Sequence, residues 1–509
     1  MKLCPAGLLI IVLSIISCGV QAQKRGNVWC FGHEAAINFN SGFPVADSSS
    51  VISRGSCASI CDSLGSLLFY VSNDTVSVTT TQLNGGKIYG KDHQLISGGD
   101  SINSQGWYYE LIIIPAPNSN DLYYVFSIGV TAFYGIYYSV IDMSLNGGFG
   151  EVTQKNVQLQ NFANVDCLTA IKHGNGRDWW IVFRQYNQLG SNNLYYRYLI
   201  SPNGISNVYV QTIGSSNSTN SGNITFNSTG VNMMFTNLMG QMEYFDFDRC
   251  NGILSNPRTI FPEQSAPFTR LFWDGQFSPS GNLFYTTLIS LPGVTDSCFL
   301  IQYNLNASNI AMSADTLEIG LLMNNMSHLK LGPDNKIYLS SVYNNLQTIS
   351  YPYPDTVYSI YNSYLGVINS PDNIGAACDF QPYSFYLGGK RTYYGLPNNP
   401  DYDLPALAGS SCDTLVSQNE LAGAAAVGSL HVYYHPAWEK AFINASNLKG
   451  KTGKLLVYDM QGKVVHSEPL RIQNGYYTMD LSMAGYANGM YLVTIQTEKE
   501  QLTKKLMID

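Results

Sequence analysis

One small pattern recurs along most of this chain and limits what it can fold into. A polar turn with Asp, Asn or Gly is followed at once by a tight run of aromatic and aliphatic residues, as in Gly332-Pro333-Asp334-Asn335-Lys336-Ile337-Tyr338-Leu339. Further copies stand at 62–70, 118–125, 176–182 and 278–285, with weaker ones at 229–235 and 382–387. The strand centres fall near Phe69, Tyr123, Ile181, Phe235, Phe284, Ile337 and Phe385, roughly 50 residues apart, within the range of propeller repeats. Such a unit buries its apolar faces only when its neighbours stack around an axis. The pattern predicts an all-β chain with a seven-bladed β-propeller over 27–399. A pair of β-sandwiches is the rival, and the even period favours the ring.

Composition agrees. Only 12% of residues are charged, while 46 are Gly and 36 are Tyr, which suits short strands joined by tight turns. A hydrophobic share of 45% supports a sizeable core and excludes global disorder. The net charge of -8 with scattered Lys and Arg argues against a nucleic-acid partner. Residues 400–430 are rich in Ala, Gly, Ser and Pro and read as a flexible linker.

Residues 431–509 alternate apolar and polar residues between Gly, Asn and Lys turns, the pattern of a small Ig-like antiparallel sandwich. Their motifs are the hairpin from Lys454-Leu455 through Val457-Tyr458-Asp459 to Gly462-Lys463, then Asp480-Leu481-Ser482, Gly489-Met490-Tyr491-Leu492-Val493 and the basic tail Lys504-Lys505-Leu506. In that order they resemble the C-terminal sorting domain of type IX secretion cargo from Bacteroidetes. The family opens with Tyr-Pro-Asn-Pro-Ala; this chain has Tyr434-His435-Pro436-Ala437, a partial match. The resemblance implies export through the periplasm to a secreted or outer-membrane surface location, with the type IX machinery as partner. Gly489 and Tyr491 are expected to shape a strand. Lys504 and Lys505 are the candidate recognition charges, and Pro436 marks the opening turn. The alternative makes all of them turn, packing and solubility residues. The segments Trp29-Cys30-Phe31-Gly32, Asp246-Phe247-Asp248-Arg249-Cys250 and Tyr394-Gly395-Leu396-Pro397 resemble the propeller region of large Bacteroidetes surface proteins.

The N-terminus fits export. Lys2, an apolar run from Leu8 to Ile16 and the exit Val20-Gln21-Ala22 describe a signal peptide over 1–22. The run is too short to span a bilayer. Ile15-Ile16-Ser17-Cys18 offers a lipoprotein alternative. Cleavage after Ala22 leaves eight cysteines, whose pairing the sequence leaves open. Cys57 and Cys61 lack a further clustered ligand for zinc.

Candidate chemistry is sparse, and no cofactor, metal or catalytic residue is expected. His33 and Glu34 are adjacent in a strand and point to opposite faces. His173 precedes Gly174-Asn175-Gly176 without the Lys-Ser/Thr of a phosphate loop. Trp179-Trp180 reads as one core and one surface aromatic. Gly99-Asp100-Ser101-Ile102 resembles the nucleophile block of GDSL hydrolases but lies inside an all-β repeat. Asp246-x-Asp248 lacks the spacing of an EF-hand. The expected function is therefore a secreted or surface-attached, non-catalytic propeller that binds a glycan or a protein. A polysaccharide hydrolase or lyase and a structural surface-layer component remain as alternatives.

Overall fold

The computed structural model describes residues 24–73, 84–117, 119–130, 135–265, 269–289, 297–321, 324–343, 356–413, 429–435, 439–446, 448–472 and 477–508. The signal-peptide stretch 1–22 and Pro436 lie outside the described residues. The chain divides into two compact units, Met1–Leu415 and Val416–Asp509.

The described part of the first unit forms seven antiparallel sheets in sequence order. Sheet 1 comprises Val28–Phe31, His33–Asn38 and Val45–Ile52. Sheet 2 comprises Cys57–Cys61, Leu67–Asn73 and Gly86–Gly90. Sheets 3 to 7 open with Leu111–Pro115, Thr169–Lys172, Gly222–Phe226, Phe272–Phe277 and Asn324–Leu331 respectively. Each continues as a meander, as in Ile337–Tyr343, Tyr364–Ile368 and Phe380–Tyr386 of sheet 7.

Local chemistry sets these meanders. In the repeat turn before Ile337, Asn335 takes φ 60. The Gly332 N–H donates to Lys336 O (2.7 Å), and the Tyr338 hydroxyl returns to the Asp334 carboxylate (2.8 Å). An Asn tolerates this left-handed position. The second strands of sheets 4 and 6, Trp179–Arg184 and Leu283–Leu288, are buried along their whole length, so neither alternates apolar and polar residues.

The apolar faces pack sheet against sheet around a ring. One cluster joins sheets 1 and 2, and a larger one joins sheets 2, 3 and 4. Others join sheets 4 and 5, 5 and 6, and 6 and 7. The circuit closes where Trp29, Phe31 and Phe39 pack with Tyr338, Leu365 and Leu387 of sheet 7 and the loop beyond it. This cyclic order of small meanders is a β-propeller.

Two expectations change. The copy read at Phe385 is no separate unit, because it lies in Phe380–Tyr386, the outer strand of sheet 7. The unit the pattern missed is sheet 1, whose middle strand His-Glu-Ala-Ala-Ile-Asn carries no Phe, Tyr or Trp. Residues 400–413 are also fastened to the ring rather than free: Tyr402 and Leu404 are 2% and 1% exposed. Residues 414–428 of the expected linker lie outside the described residues.

The second unit is a two-sheet sandwich. Ser429–His435, Lys440–Ser446 and Tyr477–Ser482 form one sheet, and Val464–Arg471, Thr452–Tyr458, Gly489–Thr497 and Gln501–Ile508 the other. Ile443, Leu455, Val457, Val493 and Ile495 fill the space between.

Candidate functional site

The opening strands of sheets 1, 4, 5, 6 and 7 line a cavity of about 350 Å³ at the ring axis. At its base is the carboxylate of Asp274 in the first strand of sheet 6, 1% exposed. The Tyr109 hydroxyl, the Asn223 side-chain amide and the Gly275 N–H donate to Oδ1, and the Leu329 N–H donates to Oδ2 (2.6 Å). Burial raises this carboxyl to about 6, against the pull of these donors. Three of these donors converge on Oδ1, and Oδ2 accepts one. Asp274 thus ties three sheets and the segment before sheet 3 to one point.

His328 and Lys330 stand two residues apart on the first strand of sheet 7, and both line the cavity. The His328 ring stacks on Tyr109 (4.5 Å between centroids, 15° between planes). Its Nδ1 accepts the Leu396 N–H (3.3 Å). Burial lowers its pKa to about 3, so the ring is neutral with its proton on Nε2, an atom without a protein partner. The ammonium of Lys330 donates to Asn399 O (2.8 Å) and lies 6.0 Å from the Trp29 ring. Desolvation lowers its pKa to about 8.

A buried segment closes the axis beside this cluster. The Tyr108 and Tyr109 N–H groups donate to the Asp166 carboxylate (3.0 and 2.7 Å). Glu110 Oε2 accepts from the Ser104 hydroxyl and the Gln105 and Gly106 N–H groups (2.7, 2.8 and 2.7 Å). Burial raises both carboxyls, and the charge of Asp166 raises Glu110 further. Tyr108 packs on Trp273 at 4.4 Å, and the Arg54 guanidinium lies over Trp107, Tyr108 and Tyr394.

The chain after sheet 7 forms another wall of the cavity. Asn398 donates to Leu111 O and Leu168 O (3.1 and 2.9 Å), and the Tyr402 hydroxyl to Ile113 O (3.0 Å). Lys172 donates to Tyr402 O (2.7 Å). Asp401 and Asp403 line the cavity's edge, and partial desolvation there together with the charge of Asp401 raises Asp403 to about 6.

The sequence marks Trp29, Tyr394 and Leu396 only through a family resemblance and does not mark Asp166, Asp274, His328 or Lys330 at all. The available signal was a polar residue inside an apolar opening strand, repeated about one unit apart at Asn223, Asp274 and His328.

The residues that did stand out serve structure. His33 pairs with Arg391, and Glu34 forms an ion pair with Lys390 (2.7 Å), where the ring closes. His173 accepts the Asn175 N–H on Nδ1 and donates from Nε2 to Cys250 O (2.8 Å). Trp179 and Trp180 are both buried, and the Trp180 indole donates to Arg249 O (2.9 Å); neither is a surface aromatic, because sheets 3 and 5 cover both faces of that strand. Asp100 is exposed and pairs with Lys155 (3.1 Å). Asp246 holds Arg258 (2.7 Å), and Asp248 caps the turn at Cys250 (2.8 Å). Cys250 and Cys412 form a disulfide, while Cys30, Cys57, Cys61, Cys167, Cys298 and Cys378 are buried thiols. Among the described residues no group of three or more His, Cys, Asp or Glu could hold a metal. No helix among them is long and apolar enough to cross a membrane.

In the second unit Gly489 opens a strand at φ 147, and Tyr491 is buried with its hydroxyl on Ala487 O (2.8 Å). Lys504 and Lys505 are both exposed on the last strand. The family model described as a secretion system C-terminal sorting domain matches residues 431–509. Residues 431–509 are a type IX sorting domain.

This sorting domain directs the chain through the periplasm to a secreted or cell-surface location and makes the type IX machinery its partner. No curated protein matches the chain. Among solved structures it is similar to the periplasmic gluconolactonase PpgL of Pseudomonas aeruginosa (10% identity, 84% of this chain and 100% of that one, TM-score 0.35). It is also similar to the Dos1 propeller (10%, 65% and 70%, 0.36) and to the Cps50 (Swd1) propeller of Myceliophteria thermophila (10%, 79% and 97%, 0.29).

Proposed function

We propose that the exported ring is a non-catalytic binding module and that its ligand is a hydroxyl-rich saccharide held at the axial cavity. The observation behind this reading is the mix of groups on the cavity wall. The Lys330 ammonium supplies a donor, and the carboxylates of Asp401 and Asp403 supply acceptors. A sugar hydroxyl both donates and accepts, so it matches such a wall better than an anion or an apolar ligand does.

A hydrolase or lyase is the second reading, favoured by the contiguous Tyr109, Asp274 and His328. A general base must reach the substrate, whereas Asp274 is 1% exposed and already hydrogen-bonded within the protein. That difference favours binding. The test is to incubate the purified full chain with insoluble polysaccharides and with protein matrix, then examine pellet and supernatant. Retention on a polysaccharide without released sugar is expected. Released oligosaccharide would sink the non-catalytic reading, and retention on protein matrix alone would sink the saccharide.

A further inference from the structure

The cavity wall made by 396–403 is continuous with the only disulfide among the described residues, and the contacts between them form one chain of attachments. Beyond Tyr402, the Arg249 guanidinium donates to Pro405 O (2.7 Å) and to Lys172 O (2.9 Å), tying the segment to the edge of sheet 4. The Leu407 N–H donates to Gly174 O (2.7 Å). Cys412 is then bonded to Cys250, 162 residues earlier, in the turn that follows the third strand of sheet 5. The segment is therefore held at its start by Asn398 and at its end by a covalent bond.

Among the described cysteines this pair is also the least buried. Cys250 and Cys412 are half-buried, whereas the other six sulfurs are buried. Burial raises the pKa of each of those six thiols. The other six are already thiols, so among the described cysteines a reductant acts on this bond alone, and their burial and raised pKa slow alkylation.

We infer that the Cys250–Cys412 disulfide is a redox latch that positions the wall 396–403 through the segment that follows it and so completes the axial cavity. Closing it takes two electrons and two protons from the two thiols and reduces a disulfide-carrying oxidant to its dithiol. A phosphine reopens it, leaving two thiols and a phosphine oxide whose oxygen comes from water. With the bond closed, any opening of the segment is a loop tethered at both ends. With it open, one end is free and the residues reseat only from a much larger set of conformations. The half-buried ammonium groups of Lys172 and Lys330 then lose Tyr402 O and Asn399 O as acceptors. The role assigned to the cavity rests on the binding reading above; the mobility of the segment does not.

The test uses the full chain, oxidised or treated with a water-soluble phosphine, with alkylation of Cys250 and Cys412 but no other cysteine to verify selective opening. Hydrogen exchange is followed in peptides covering 400–413 and, as a reference, Leu283–Leu288. Exchange at the Leu407 amide is expected to rise at least tenfold on opening, with the reference unchanged, and Cys412→Ser is expected to behave as the reduced protein does. Unchanged exchange at Leu407 with both thiols alkylated would overturn the latch. Retention on the polysaccharide that the oxidised chain binds should fall about tenfold in parallel; equal retention by both forms, with exchange raised, would overturn the positioning role. If exchange rises while neither form binds any polysaccharide, the latch stands and the saccharide reading falls.

Discussion

Asp274→Asn isolates a single buried titration. Asp274 is raised from 3.8 to about 6 because burial opposes its charge, which corresponds to about 3 kcal/mol of pH-dependent stability. The folded state binds this proton more tightly than the unfolded state does. The contribution is therefore fully present below pH 3.8 and is lost as pH rises through about 6. His328, lowered to about 3, works in the opposite direction: its contribution is present above the ordinary histidine value and is lost as pH falls. The two partly cancel in the native chain, so the informative quantity is the difference between native and variant proteins. Asparagine also sets an amide N–H₂ among donors, which leaves at least one buried N–H without an acceptor and costs about 1–3 kcal/mol at every pH. Urea unfolding of the full chain, followed by tryptophan fluorescence at intervals between pH 4 and 7.5, should show the advantage of the native chain over the variant shrinking by about 2–3 kcal/mol as pH rises. Parallel curves across that range would refute the assignment of a raised pKa to Asp274.

Other expectations are simpler to read. Trp180→Ala should cost about 4 kcal/mol in unfolding experiments, as for a fully buried indole, because the side chain is 3% exposed and hydrogen-bonded to Arg249 O. Gly395→Ala would place a Cβ 2.0 Å from Gly55 O. Backbone there meets backbone, so a loss of about 3 kcal/mol or more is expected in thermal melts. In the sorting domain, Tyr491→Ala should destabilise the sandwich by about 3 kcal/mol, whereas Lys504→Ala with Lys505→Ala should change its stability by less than about 0.5 kcal/mol. A fall in export for the double lysine variant, measured by fractionation, would assign those charges to recognition; normal export would make them solubility residues. Deleting residues 431–509 should leave the ring in the periplasm, and normal export of the truncated chain would contradict this.

What the sequence determined by itself was local. Strand identity follows from short-range periodicity, and turn chemistry from a few adjacent residues, so six of the seven strand centres, from Phe69 to Ile337, fall in second strands of sheets 2 to 7. The sorting tail was legible for the same reason, since its motifs are contiguous. The tertiary structure alone decided everything that depends on ring closure. It made Phe385 part of sheet 7 and showed that the strand His33–Asn38, which has no Phe, Tyr or Trp, belongs to a separate sheet. It seated Tyr402 and Leu404 where composition read a linker, because the burial of two apolar side chains, hydrogen bonds and a disulfide outweigh the local flexibility of Gly and Ser. The axial cluster of Tyr109, Asn223, Asp274 and His328 was invisible for a related reason. Each residue belongs to a different part of the ring, and no spacing along the chain records which side chains meet once the opening strands converge on one axis.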